Sequence, residues 1–228
     1  MDFDYSFYSF NTNLKIALVL PTLKYGPESD IDWAWIDTRA LYRLAINQII
    51  TSLELYYESI FKIISGYIKI SKIHPKSLVF FIKIYGLEKK FFKEVEKQNS
   101  LDFELSNIIP EFLLFQSGEK IKTAMELINL DPIGQFNKEW EITYGNQENS
   151  TVKLRHSFTH KGMGYSTIMR IPISKITTPK KVKKQIYAER YLGEIKERIK
   201  NAIVLVSYLE NQIVKKYSFE KLYPKRIK

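Results

Sequence analysis

Apolar positions recur every three or four residues along most of the chain, a spacing that predicts amphipathic helices. The longest runs cover residues 33–72, with Gly66 as a candidate break, and residues 179–217, which follow the cap signature Thr178-Pro179. Shorter helical patterns cover five segments: 76–97, which Gly86 divides into a short helix and a charged amphipathic stretch, 110–114, 116–130, 136–144 and 151–161. The pattern therefore predicts an all-α helical bundle with long first and last helices.

Three stretches depart from this pattern. Residues 1–29 alternate aromatic and polar side chains, which predicts an irregular or β-like N-terminal arm with a short strand at 15–20. Residues 165–176 are rich in β-branched side chains and predict an extended connection. The predicted organisation is an arm (1–29), a helical domain (30–217) and a basic tail (218–228).

The net charge of the chain indicates what kind of partner it binds. The chain carries 35 basic and 25 acidic residues, a formal charge of +10. Such a balance favours a polyanion such as RNA, although a compositional bias toward lysine would give the same excess. The absence of cysteine excludes disulfides and thiolate metal sites. The acidic N-terminus and the lack of an apolar run of about 20 residues predict a cytoplasmic protein with no membrane segment.

Two of the three histidines fall in one hexapeptide, Arg155 to His160. His156 and His160 are one helical turn apart, a spacing that suits a metal. A metal needs a third ligand, however, and no acidic residue occurs between Glu148 and Glu189. The ligand count therefore predicts no metal and no cofactor.

Arg155 and His160 suit phosphodiester chemistry better. Histidine exchanges protons near neutral pH, and arginine offers a permanent charge and a planar donor fork to a phosphorane. The spacing alone is weak, because seven arginines and three histidines would produce it by chance about 0.3 times in this chain. A structural alternative is that Arg155 pairs with a carboxylate while His160 caps the helix end.

The segment LRHSFTHKG, residues 154–162, resembles the R-x(4–6)-H motif of HEPN domains. Its surroundings resemble HEPN proteins of the RiboL-PSP-associated type as well. These are the early-helix segment Ser52-Leu53-Glu54-Leu55-Tyr56, Phe115-Gln116, the Asp131-Pro132 turn and the long helix after the motif. The resemblance covers about residues 33–217.

The resemblance implies a HEPN-like bundle and a homodimer whose two motifs face one cleft. It also implies metal-independent cleavage of RNA to a 2′,3′-cyclic phosphate. Arg155 and His160 take the catalytic positions, and His156 takes the polar position between them. The implied role is a toxin or antiviral defence nuclease, with an antitoxin or defence-system partner protein. In HEPN toxins that are controlled by a nucleotidyltransferase antitoxin, a tyrosine lies two residues after the histidine. This chain has Gly162 at that position, so it departs from the pattern that accompanies such an antitoxin.

Basic residues around the motif are candidates for RNA binding. They are Lys161, Lys175, Lys180, Lys181, Lys183 and Lys184. A solvated helix face explains the lysines equally well. The alternative to a nuclease is a non-catalytic HEPN-type module that binds a nucleotide or a partner protein.

Overall fold

The computed structural model describes residues 3–19, 31–160 and 180–217. Within these ranges the chain forms eight α-helices, and its only β pairing is a single antiparallel bridge between Lys69 and Glu104. The helices are α1 (Phe3–Val19), α2 (Ile31–Ser65), α3 (Pro75–Tyr85), α4 (Glu88–Gln98), α5 (Gly118–Leu127), α6 (Asn137–Tyr144), α7 (Thr151–His160) and α8 (Lys180–Lys216). The all-α prediction is confirmed for the described residues.

The chain divides into two compact units, each built from separate stretches of sequence. The first unit takes Met1–Phe10, Leu53–Asn137 and Leu205–Lys228, and the second takes Asn11–Ser52 and Lys138–Val204. Helices α3, α4 and α5 belong wholly to the first unit and α7 belongs wholly to the second, which also contains α6 except for its first residue, Asn137. The predicted domain boundaries at residues 30 and 217 remain predictions.

An aromatic cluster forms the core of the first unit. Phe81 of α3 lies between Phe61 and Tyr85, with ring centroids 5.4 and 4.8 Å away. Phe115 contacts Phe61 and Tyr85 in turn. The Tyr85 hydroxyl donates to the carbonyl oxygen of Lys120 (2.9 Å), which ties α3 to α5. Burial raises the pKa of Tyr85, so this donor stays protonated.

The second unit is built around apolar stripes of α1, α2 and α8. Helix α2 buries Ala45, Ile46 and Ile49 completely, at the spacing that its sequence predicts. Tyr191 and Ile195 are buried on α8 one turn apart. Helices α2 and α8 also carry side chains that hold the motif helix, α7.

The N-terminal arm is a correction to the sequence prediction. Residues 3–19 form a helix rather than an irregular or β-like segment, and the strand expected at 15–20 is wrong for its described residues 15–19. The reason is the burial of Phe10, Leu14 and Ala17, which are four and three residues apart and share one helix face. Tertiary packing overrides the local alternation of aromatic and polar residues.

The helix expected at 110–114 is also wrong. Residues 109–117 are irregular, and buried Leu113 and Phe115 alternate with exposed neighbours, as in an extended chain. The backbone N–H of Leu113 donates to the Glu58 carboxylate (3.2 Å), while Lys62 donates to the Glu111 carbonyl oxygen. Glu58 and Lys62 also form an ion pair with each other (2.7 Å). Together the two side chains hold the loop around Leu113 in place.

Other boundaries follow the sequence closely. Helix α2 ends at Ser65, immediately before Gly66, and Gly86 adopts a left-handed conformation (φ 65°) at the end of α3. The connection expected at 165–176 lies outside the described residues, as does the tail at 218–228. None of the described helices combines the length and the apolar character that spanning a membrane requires.

Candidate functional site

The start of α7 is fixed by hydroxyl groups. The Ser150 hydroxyl, which is buried, donates to the carbonyl oxygen of Gly145 across the loop before the helix (2.7 Å). The Thr151 hydroxyl donates to the carbonyl oxygen of Ile142 in α6 (3.2 Å). Both bonds are local to the second unit, and they set the point at which α7 begins.

Arg198 of α8 adds a charged anchor at the same place. Its guanidinium donates to the Thr151 hydroxyl oxygen through one terminal nitrogen (2.9 Å) and to the Asn149 carbonyl oxygen through the other (2.9 Å). The planar fork of arginine suits two acceptors side by side. Its third nitrogen, Nε, is buried and has no hydrogen-bond partner among the described residues.

Tyr42 links α2 to α8 beside Arg198. Its hydroxyl donates to the Glu194 carboxylate (2.8 Å), and its ring packs on the ring of Tyr191 with centroids 4.7 Å apart. Burial raises the pKa of Tyr42. The positive charge of Arg198 opposes that rise, and the negative charge of Glu194 adds to it. Tyr42 is therefore a neutral hydrogen-bond donor at physiological pH.

The C-terminal half of α7 is held by aromatic contacts. The ring of Phe158 meets the ring of Tyr42 edge-on at 6.1 Å. The guanidinium carbon of Arg43 lies 5.4 Å from the centre of the same Phe158 ring, a cation–π distance. Helix α7 is thus anchored through Thr151 near its start and through Phe158 near its end.

The predicted catalytic residues lie on this anchored helix. Arg155 is half-buried, one turn after Thr151, and His156 is exposed. His160 is the last residue of α7, and its side chain lies outside the described part of the structure. The backbone is helical throughout, so positions 156 and 160 are one turn apart, as predicted.

Most of the predicted RNA-binding lysines lie where the structure gives little detail. Lys161 and Lys175 are outside the described residues. For the other four only the helical backbone at the start of α8 is described: Lys180, Lys181, Lys183 and Lys184. Their part in binding RNA remains a prediction.

A small cavity of about 200 Å³ lies beside the anchor of α7. Its lining combines one apolar side chain with amides, carboxylates and the guanidinium: Ile142, Gln147, Asn149, Glu194, Glu197 and Arg198. This volume is below the range of about 300–1,000 Å³ typical of ligand pockets, so only part of a nucleotide fits.

The sequence reasoning missed Arg198, Thr151 and Tyr42. One signal for Arg198 was available, because it continues the stripe of Tyr191 and Ile195 on α8 at three- and four-residue spacing. A charged residue in line with an apolar stripe needs a partner inside the protein. Nothing in the sequence identified that partner as the start of α7.

Among the described residues, no three histidine, aspartate or glutamate side chains are grouped closely enough to hold a metal ion. Metal independence therefore remains a prediction. The chain matches no known family model, no curated protein and no solved structure.

Proposed function

We propose that this protein is a metal-independent endoribonuclease of the HEPN type, whose active site is shared by two copies of the chain. The observation that carries the proposal is the placement of Arg155, His156 and position 160 on one short helix anchored at both ends. Catalytic groups must be held within a fraction of an ångström, and an anchored helix meets that need better than a loop.

The proposed chemistry is an internal transfer at phosphorus. A neutral histidine takes the proton of the ribose 2′-hydroxyl, and the 2′-oxygen then forms a bond to phosphorus. The bond from phosphorus to the 5′-oxygen breaks, and a protonated histidine gives its proton to that oxygen. The products are a 2′,3′-cyclic phosphate and a 5′-hydroxyl. The guanidinium of Arg155 stabilises the charge on the phosphorane.

Helix geometry supports a site that draws on two chains. Positions 155 and 160 are five residues apart, which separates them by about 140° around a helix axis at about 100° per residue. One copy of α7 does not bring both positions to one side. Two copies related by a two-fold axis supply two arginines and two histidines, so that one histidine acts as base and the other as acid.

The biological role that fits this proposal is a cytoplasmic toxin or antiviral defence nuclease, restrained by an antitoxin or a defence-system partner protein. The net charge of +10 supports an RNA substrate. The glycine at position 162 argues against restraint by the nucleotidyltransferase that partners other HEPN toxins.

The nuclease proposal predicts that cleavage of varied single-stranded RNAs continues in EDTA and yields cyclic phosphate ends. His160→Ala should lower the cleavage rate by about 100-fold or more, since general acid–base catalysis contributes about 10²–10⁴. Arg155→Ala should lower it by about 10²–10³, as the loss of an oxyanion donor does.

The matched control for these variants is His74→Ala. His74 is exposed, and its side chain makes no capping hydrogen bond at the start of α3, so the rate should not change. Wild type and His160→Ala that leave every RNA equally intact would contradict the proposal.

A second candidate is a non-catalytic module that binds a nucleotide. The cavity between Gln147, Asn149 and Glu197 favours it, because amide and carboxylate groups read the edges of bases. Thermal stabilisation by a nucleotide, without RNA cleavage, would favour this candidate over the nuclease.

A further inference from the structure

Helix α3 carries two faces of different character. Its inner face buries Leu78, Phe81 and Ile82, and Phe81 belongs to the aromatic core of the first unit. Its outer face exposes large apolar side chains instead. Val79 is 65% exposed and Phe80 is 50% exposed, although a soluble surface gains nothing from presenting two such residues together.

Lysines flank this apolar pair. We use the term α3 face for Lys76, Val79, Phe80 and Lys83, all of which are exposed. At about 100° per residue the four positions fall within an arc of about 100°, directly opposite the buried stripe. The two lysines are seven residues apart, which places them about 10 Å apart along the helix axis, with the aromatic ring between them.

The charged residues of α3 itself, and of the chain between Glu58 and Glu88 that contains it, are all basic. No acidic residue occurs between Glu58 and Glu88, whereas that stretch contains five lysines. Within the described part of the chain, neither Lys76 nor Lys83 has a carboxylate within 4 Å, whereas Lys69, nearby in sequence, is paired with Asp102. The positive charge at the two ends of the α3 face is therefore not neutralised by the described residues.

We propose that the α3 face binds single-stranded RNA, with a base stacked on Phe80 and backbone phosphates on Lys76 and Lys83. Aromatic rings between cationic side chains are the usual means by which proteins hold single strands without reading their sequence. The absence of acidic residues from α3 and from the chain that leads into it favours a polyanion over a protein surface of mixed charge. The identity of that polyanion as RNA rests on the proposed nuclease function.

The RNA would be held by the α3 face independently of the chemistry on α7. The α3 face belongs to the first unit, and the motif helix belongs wholly to the second. A binding defect and a catalytic defect can therefore be produced by separate substitutions. This separation makes the two proposals testable one at a time.

The test measures binding of the full chain to a fluorescein-labelled, mixed-sequence 2′-O-methyl RNA, which offers no 2′-hydroxyl for cleavage. Phe80→Ala should raise Kd by about 5- to 140-fold, the range expected when one stacked base is lost. Phe80→Tyr should restore binding, because it keeps an aromatic face. Lys76→Gln with Lys83→Gln should lower the slope of log K against log salt by about 1.4, the value for two phosphates on a single strand.

Two matched controls separate a local effect from a general one. Phe112→Ala removes an aromatic ring that is 76% exposed and lies outside the acid-free stretch. Lys122→Gln removes a lysine that is already paired with Glu126 (3.7 Å). Both variants should bind RNA as the wild type does. Circular dichroism melting checks that every variant is folded.

Several outcomes would overturn the proposal. They are wild-type Kd values for all α3-face variants, a loss of binding for the lysine variants but not for Phe80→Ala, or binding to anionic lipid vesicles or an acidic peptide but not to RNA. Wild-type Kd values for the α3-face variants, together with normal cleavage of unmodified RNA at concentrations below the wild-type Kd, would leave the nuclease proposal standing and exclude this face from RNA binding. RNA binding that depends on Phe80, with no cleavage by the wild type, would support the α3 face as an RNA-binding surface and contradict the nuclease proposal.

Discussion

Arg198 shows how much of the candidate site depends on a single side chain. Its two hydrogen bonds reach the hydroxyl of Thr151 and the carbonyl oxygen of Asn149, so it holds both the first residue of α7 and the loop before it. Its positive charge also lowers the pKa of Tyr42, against the larger rise that burial causes. An arginine in this place positions the motif helix and takes no part in the proposed proton transfers.

We predict that Arg198→Ala lowers the free energy of unfolding by about 1.5–3 kcal/mol, the range for hydrogen bonds made by charged groups. Arg198→Lys should recover less than half of this loss, because an ammonium group does not reproduce the fork. Urea denaturation measures both losses. Lys196→Ala, at an exposed position on the same helix, is the control and should stay within about 0.5 kcal/mol of wild type. Equal stability of Arg198→Ala and Lys196→Ala would contradict the anchoring role.

At the scale of elements, the sequence was most informative where a long apolar period ran unbroken. It placed α2 and α8 to within a few residues because burial and helical period agree in them. The shorter α7 was placed as closely, although Leu154 is the only buried residue among its described apolar side chains. The sequence prediction was wrong at α1 and at residues 110–114, where contacts distant in sequence decide the conformation. Leu113, for example, is held extended by a carboxylate 55 residues away. A local pattern does not contain such a contact.

The turn between α5 and α6 provides a test of close packing between elements. Gly134 has a left-handed conformation (φ 51°), and a Cβ atom there would overlap the ring of Tyr208 on α8. That ring is held in turn by Phe136, edge-on at 5.3 Å. Gly86 is also left-handed (φ 65°), but a Cβ atom there would meet nothing within 4 Å.

We predict that Gly86→Ala costs about 1–2 kcal/mol, the price of a left-handed conformation for a residue with a Cβ atom. Gly134→Ala should cost about 1–3 kcal/mol more, because overpacking adds to the same backbone strain. Chemical denaturation of the two variants isolates the packing contribution. A Gly134→Ala/Tyr208→Ala double variant should lose less stability than the sum of its single variants. Equal losses for the two glycine variants would mean that Tyr208 moves aside freely.

In the assembled protein, the proposed catalysis needs two chains. The sequence indicated which residues to consider, namely Arg155, His156 and His160, and the structure adds the helix that carries them and its anchors. Neither the sequence nor the structure of one chain shows how two copies pair, because a two-fold axis is set by contacts between the copies. That claim therefore needs a measurement in which the two chains of a dimer differ.

The most direct measurement is RNA cleavage in EDTA by wild type mixed with His160→Ala, after the subunits have exchanged. If each active site needs a histidine from both chains, only wild-type dimers are active, and random pairing of an equal mixture leaves about one quarter of the wild-type rate. Cyclic phosphate ends should appear in the same proportion. A residual rate of about one half, as independent chains would give, or no cleavage by wild type at all, would rule out a site shared by two chains.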